Sequence, residues 1–107
     1  MASRIKLIEN EISTALRSLG FFNIEIETQE DERLSVTADG TLRNILLIVL
    51  VAKATTGQKK NRISEEIVTS TKQHAMSSHR EPWSALVSFN SRKRKVDNIT
   101  WADLSTH

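Results

Sequence analysis

Apolar side chains recur at three- and four-residue steps from residue 3 to residue 19, at Ile5, Ile8, Ile12, Ala15, Leu16 and Leu19. That spacing draws one stripe along a helix. Ser3 is placed to cap its first turn and Gly20 to stop it. At Phe21 the period falls to two. Over residues 21–28, Phe22, Ile24 and Ile26 share one face while Asn23, Glu25 and Glu27 share the other, as in a half-exposed strand. Leu34, Val36 and Ala38 repeat the alternation and end at Asp39-Gly40, a reversal signal because both residue types tolerate positive φ. The centre of the chain follows, where Ile45 to Val51 are seven consecutive apolar residues. A strand buried on both faces reads this way, since neither set of alternating side chains can meet water. The run is too short to cross a bilayer as a helix.

The second half predicts fewer elements. Residues 54–61 form a polar, basic loop, and Ile63, Ile67, Val68, Thr71 and Ala75 mark one narrow side of a helix over about 62–78. Pro82 bars further helix. Trp83, Ala85, Val87 and Phe89 then share one face of a strand over 83–90. Residues 91–95 make a basic turn, and 96–101 an edge strand with a short ending after it. The order α-β-β-β-α-β(-β) predicts an α/β (α+β) sandwich: a mixed sheet of four or five strands with a helix on each face, in a single domain. The strand at 44–53 should be central, and the long connection after it suits a crossover to a parallel strand.

Composition narrows the chemistry. A chain of 107 residues can bury a core without staples, and the absence of cysteine removes disulfides and thiolate metal sites. No apolar leader follows Met1, which predicts a cytoplasmic protein. The net charge of +2 is uneven: residues 1–56 hold 6 Lys/Arg against 8 Asp/Glu, and residues 57–107 hold 9 against 5. Cations cluster at Lys59, Lys60 and Arg62, and again at Arg92, Lys93, Arg94 and Lys95. Such clusters suit phosphate contact, although a charge run is also what a solvated turn contains. His74 and His79 are five apart and share no helix face as a metal pair would; with His107 they read as surface histidines. No serine elbow or phosphate-binding glycine loop is present.

With Asp39 after the second strand and Lys53 closing the third, this order resembles the restriction-endonuclease-like superfamily, whose signature is PD-(D/E)XK. Asp39 matches the first acidic residue and Val51-Ala52-Lys53 the (D/E)XK triplet. Ala38 stands where the signature has proline, and Val51 where it has its second acid. The likeness spans nearly the whole chain as an order of elements, but only two residues of the motif. It implies a protein that binds or processes nucleic acid, of a kind linked to mobile elements. In an active member, Mg²⁺ sits between two carboxylates and the lysine orients the attacking water. Here Asp39 and Lys53 are the candidate catalytic residues and Asp39 the one candidate metal ligand. No cofactor is expected unless a second carboxylate reaches Asp39, for which Glu9 and Glu11 of the first helix are candidates. If active, the chain would be a Mg²⁺-dependent endonuclease; with Val51 in the acid's place, a catalytically degenerate binder is expected. Asp39 also reads as a plain hairpin residue, and Lys53 as a strand-end lysine keeping its head in water.

Two function classes follow. In the first, DNA is the partner and Lys59, Lys60, Arg62, Arg92, Lys93 and Arg94 touch phosphates, with the acidic first hairpin facing away. In the second, the same fold is a non-enzymatic adaptor whose acidic edge (Glu25, Glu27, Glu30, Asp31, Glu32) meets a protein partner or a second copy.

Overall fold

The switch from a four-residue to a two-residue period at Phe21 marks the first boundary in the computed structural model, which describes residues 4–29, 33–52, 64–90 and 92–106. Helix α1 spans Arg4–Ser18, strand β1 Phe22–Thr28, β2 Leu34–Asp39 and β3 Asn44–Ala52. Helix α2 follows at Glu65–Ser77, then β4 at Glu81–Asn90, β5 at Lys95–Asp103 and a short 3-10 helix at Leu104–Thr106. The five strands form one sheet in the order β1-β2-β3-β4-β5. β3 is central, as its unbroken apolar run requires. It pairs antiparallel with β2 and parallel with β4, and α2 lies on the crossover between them.

Alternation assigns the faces. Ile45, Leu47 and Val49 of β3 join Leu34, Val36, Ala38, Ala85 and Val87 in a core that Ile8, Ile12 and Leu16 of α1 cover. Ile48 points the other way, against Val68 of α2 and Leu104. A helix therefore covers each face. Burying each large α1 side chain contributes about 1.5–3 kcal/mol, which is what holds a helix of modest propensity in place. Its end is set by Gly20, whose φ is 98°. The Gly20 N–H donates to Arg17 O at 3.0 Å and the Phe21 N–H to Leu16 O at 3.0 Å, the paired closure of a left-handed C-terminal stop. At the other helix, the Ser64 hydroxyl accepts from the Ile67 N–H at 3.3 Å and fixes the start of α2.

Three local expectations are corrected. Phe22 does not share the inner face with Ile24 and Ile26: the register shifts between Phe22 and Glu25, Asn23 takes φ 52°, and Phe22 is left 49% exposed. Phe21 packs inward instead, edge-on to Trp83 with ring centroids 6.4 Å apart. The Asp39-Gly40 reversal does not use positive φ, since Gly20 is the positive-φ glycine among the described residues. Gly40 is needed for room, because a Cβ there would lie 2.7 Å from Arg43 O. Leu104, read as part of a loose ending, is fully buried and closes the α2-side core. Among the described residues no helix is long and apolar enough to cross a membrane.

Candidate functional site

Strand direction sorts the polar residues onto two rims. β3 and β4 are parallel, with Ala52 beside Ser88, so their C-terminal ends share a rim. Thr28 pairs with Leu34 and Leu34 with Val49, which brings the end of β1 and the start of β2 to that rim as well. Each helix runs from this rim toward the opposite one, since α1 leads into β1 and α2 into β4. Both helix N-termini, with their partial positive charge, therefore lie here. The turn bearing Arg92, Lys93 and Arg94 joins β4 to β5 at the same rim, and all three residues are exposed. The Asn90 side chain accepts from the Lys93 N–H at 3.0 Å, and Arg94 adopts φ 53°, so a local bond and a left-handed residue shape the turn. Arg4, at the start of α1, lies over the Phe89 ring, 6.0 Å from its centroid. A cleft of about 220 Å³ between α1 and β5 includes Glu11 with Arg94 and Lys95, so one carboxylate tempers this positive edge.

Sequence reasoning left the rim of the second cation cluster open; the parallel pairing decides it. The first cluster, Lys59, Lys60 and Arg62, lies outside the described residues, as does Lys53, but the chain leaves β3 toward it at this same rim. The acidic hairpin expected to face away is described only in part. Residues 30–32 lie outside the described residues, yet Thr28 and Arg33, which flank them, sit at the basic rim.

Asp39 occupies the opposite rim. Its Oδ1 lies 3.0 Å from Arg80 Nη1, and its Oδ2 accepts from the Asn23 side-chain amide at 3.1 Å. The Asn23 hydrogen bond above all, helped by the bond and charge of Arg80, holds the Asp39 carboxyl below its ordinary range despite the opposing effect of burial. Arg80 Nη1 also donates to Ala38 O at 3.0 Å and to Ile45 O at 3.3 Å. One guanidinium thus ties the end of β2 to the start of β3. Sequence reasoning missed it, treating the residues before Pro82 only as a return to strand. An arginine directly before a strand, opposite an acid that closes another strand, was the available signal.

Of the nuclease-like motif, Asp39 and Val51 lie far apart, and Lys53 is outside the described residues. Asp39 pairs with Asn44, seven residues from Val51 along β3. At about 3.3 Å per residue that is roughly 23 Å. The faces differ too: Val51 packs in the α1-side core, whereas Asp39, one residue past inward-pointing Ala38, meets Arg80 on the α2 side. Glu9 and Glu11 do not reach Asp39 either. Glu9 accepts from the Thr28 hydroxyl at 3.3 Å and lies 3.8 Å from Lys6, at the basic rim. Glu11 lines the cleft with Arg94 and Lys95. Mg²⁺ therefore finds a poor site at Asp39, whose two oxygens already serve Arg80 and Asn23, and among the described residues no group of three metal-ligating side chains forms.

The chain is a mixed five-stranded sheet with a helix on each face, and the Arg92–Arg94 turn lies at the rim where its parallel strands end. No family model, curated protein or solved structure matches the chain.

The geometry sets a test of chemistry. Incubating the protein with plasmid and with single-stranded DNA in Mg²⁺ or Mn²⁺ is expected to give no appreciable cleavage. Cleavage that disappears in Asp39→Ala would contradict this. Val51→Glu is not expected to create activity, since the new carboxylate would lie on the other face and rim from Asp39.

Proposed function

We propose that this chain is a nuclease-fold protein that binds nucleic acid without cutting it, engaging phosphates along the rim where β3 and β4 end. The observation that carries this reading is the parallel pairing of those strands, which sets the Arg92–Arg94 turn beside the end of β3 and the starts of both helices. In open α/β sheets, ligands bind outside the carboxyl ends of parallel strands, because helix N-termini and loop backbone converge there. The clustered side chains are arginine and lysine on exposed turns, which suits backbone contact, and no array of base-reading groups accompanies them. The Lys59, Lys60 and Arg62 cluster, which follows β3 in the sequence, supports the same reading by its charge alone.

Anisotropy titrations of labelled duplex and single-stranded DNA at low salt test it. Binding in the micromolar range is expected, weakening steeply as salt is added. Failure to bind either strand form at low salt overturns the reading.

A second reading rests on a separate observation. β1 is an edge strand, and Glu25 and Glu27 stand exposed on its outer face. That surface suits a basic protein partner and repels phosphate. If DNA does not bind, the adaptor function takes precedence.

A further inference from the structure

α2 packs over β3 and β4 and leaves β2 uncovered, so a groove of about 280 Å³ runs between helix and sheet. Its mouth is at the basic rim, marked by Arg33 at the start of β2 and Glu66 in the first turn of α2. Its floor is apolar, with Leu46 and Ile48 from β3. Ser35, Ser70, Thr71 and His74 line the walls. Thr71 is the informative residue. It is only 6% exposed, and its hydroxyl has no hydrogen-bond partner among the described residues. Among the described residues no side-chain polar atom is sealed off without a partner, so this hydroxyl opens into the groove. The side chains of Arg33, Ser35, Ser70 and His74 likewise make no hydrogen bond or ion pair with any described residue. The Thr71 hydroxyl is nearly buried and Arg33 and Ser35 are half-buried, while Ser70, His74 and Glu66 stand exposed along the groove's edge. Buried polar groups are normally hydrogen-bonded, so the Thr71 hydroxyl is one that a ligand seated in the groove can satisfy.

We infer that this groove binds one unpaired nucleotide of a single strand. The inference rests on the nucleic-acid reading above and names the form of nucleic acid that the site prefers. The volume is near the lower limit of about 300 Å³ for ligand pockets, which admits one nucleotide and excludes a duplex. Arg33 at the mouth meets the phosphate. Leu46 and Ile48 present a flat apolar surface to the base. The Glu66 carboxylate accepts from an exocyclic amino group, as acidic side chains do from cytosine, and Ser70, Thr71 and His74 take the remaining polar edge. The mouth lies two to three strands from the β4–β5 turn, about 10–14 Å, so a strand with one base in the groove continues along the same rim.

Amide NMR on isotope-labelled protein tests this with deoxycytidine monophosphate, using inorganic phosphate and free deoxycytidine as controls. The nucleotide is expected to move the amides of Arg33, Ser70, Thr71 and His74, and to bind at least tenfold more tightly than either control. Ser70→Trp, at an exposed helix position, fills the groove; Arg33→Gln removes the cation. Each is expected to weaken nucleotide binding at least tenfold while leaving duplex affinity within twofold for Ser70→Trp. If duplex binds but the nucleotide leaves those amides unmoved, or phosphate alone binds equally well, the groove inference fails and the rim reading stands. If the nucleotide moves them while duplex and single strands do not bind, the groove inference stands and the rim reading fails.

Discussion

Ile48→Asp is expected to abolish the folded domain. Ile48 is 7% exposed in the central strand and packs against Val68 and Leu104 on the α2 side. Its packing partners Val68, Leu104, Leu50 and Ile67 are all apolar, and a charge pressed against them costs several kcal/mol. The whole domain holds only about 5–15 kcal/mol of stability, so the cost and the reserve are comparable. Circular dichroism should show loss of the cooperative thermal transition. A soluble variant that melts at the parent temperature would show that the α2-side core does not bear on β3. Ile48→Val, which keeps the shape class, should cost only about 0.5–1.5 kcal/mol and serves as the control.

Arg80→Ala should lower stability by about 2–3 kcal/mol, because two backbone carbonyls lose a charged donor at a partly exposed site. Those acceptors, Ala38 O and Ile45 O, belong to the two strands that the guanidinium joins. Urea melts should report the loss, and Arg80→Lys should recover only part of it, since an ammonium lacks the planar fork. The Asp39 contribution has a defined pH dependence. Its folded-state pKa is lowered, first by Asn23 and then by Arg80. The stabilisation is therefore present above the unfolded value of about 3.9 and is lost as pH falls through the lower folded value. Asp39→Asn should flatten the acid limb of the stability curve below about pH 4 and leave its neutral part with the same slope. An acid limb identical to the parent's would show that the carboxylate draws nothing from its neighbours.

The fold was legible where one physical signal acted alone. The period change at Phe21, the unbroken run of β3 and the stop at Pro82 each fixed an element, and the length of chain after β3 forced a parallel crossover. Signals that depend on two distant segments were not legible. Phe21 and Phe22 have the same chemistry, and only the bulge at Asn23 decides which one turns inward. Leu104 is a single apolar residue among polar ones, and its burial depends on a gap beside Val68 that no local pattern records. The site divides in the same way. The cation cluster at Arg92–Arg94 is visible in the sequence, but its rim follows from the direction of β4. Asp39 and Lys53 suggested a joint motif by their order, whereas antiparallel pairing sends Asp39 and Val51 to opposite ends of β3. Thr71 on the buried stripe of α2 and His74 as a surface histidine both hold, but the groove they line was not legible. Both belong to a groove that exists only because α2 stops short of β2.

The most direct measurement of the central claim is the salt dependence of DNA affinity for the parent and for Arg92→Gln/Lys93→Gln/Arg94→Gln. Each neutralised phosphate contributes about −0.9 to the slope of log affinity against log salt, so a parent slope of about −3 to −6 is expected. The triple variant should be shallower by about two to three, with equal losses on unrelated sequences, because the contacts are to the backbone. A Lys59→Gln/Lys60→Gln/Arg62→Gln variant should flatten the slope by a similar amount. Parent-like affinity and slope in the Arg92–Arg94 variant would contradict the account, because the rim where the parallel strands end would then play no part in binding.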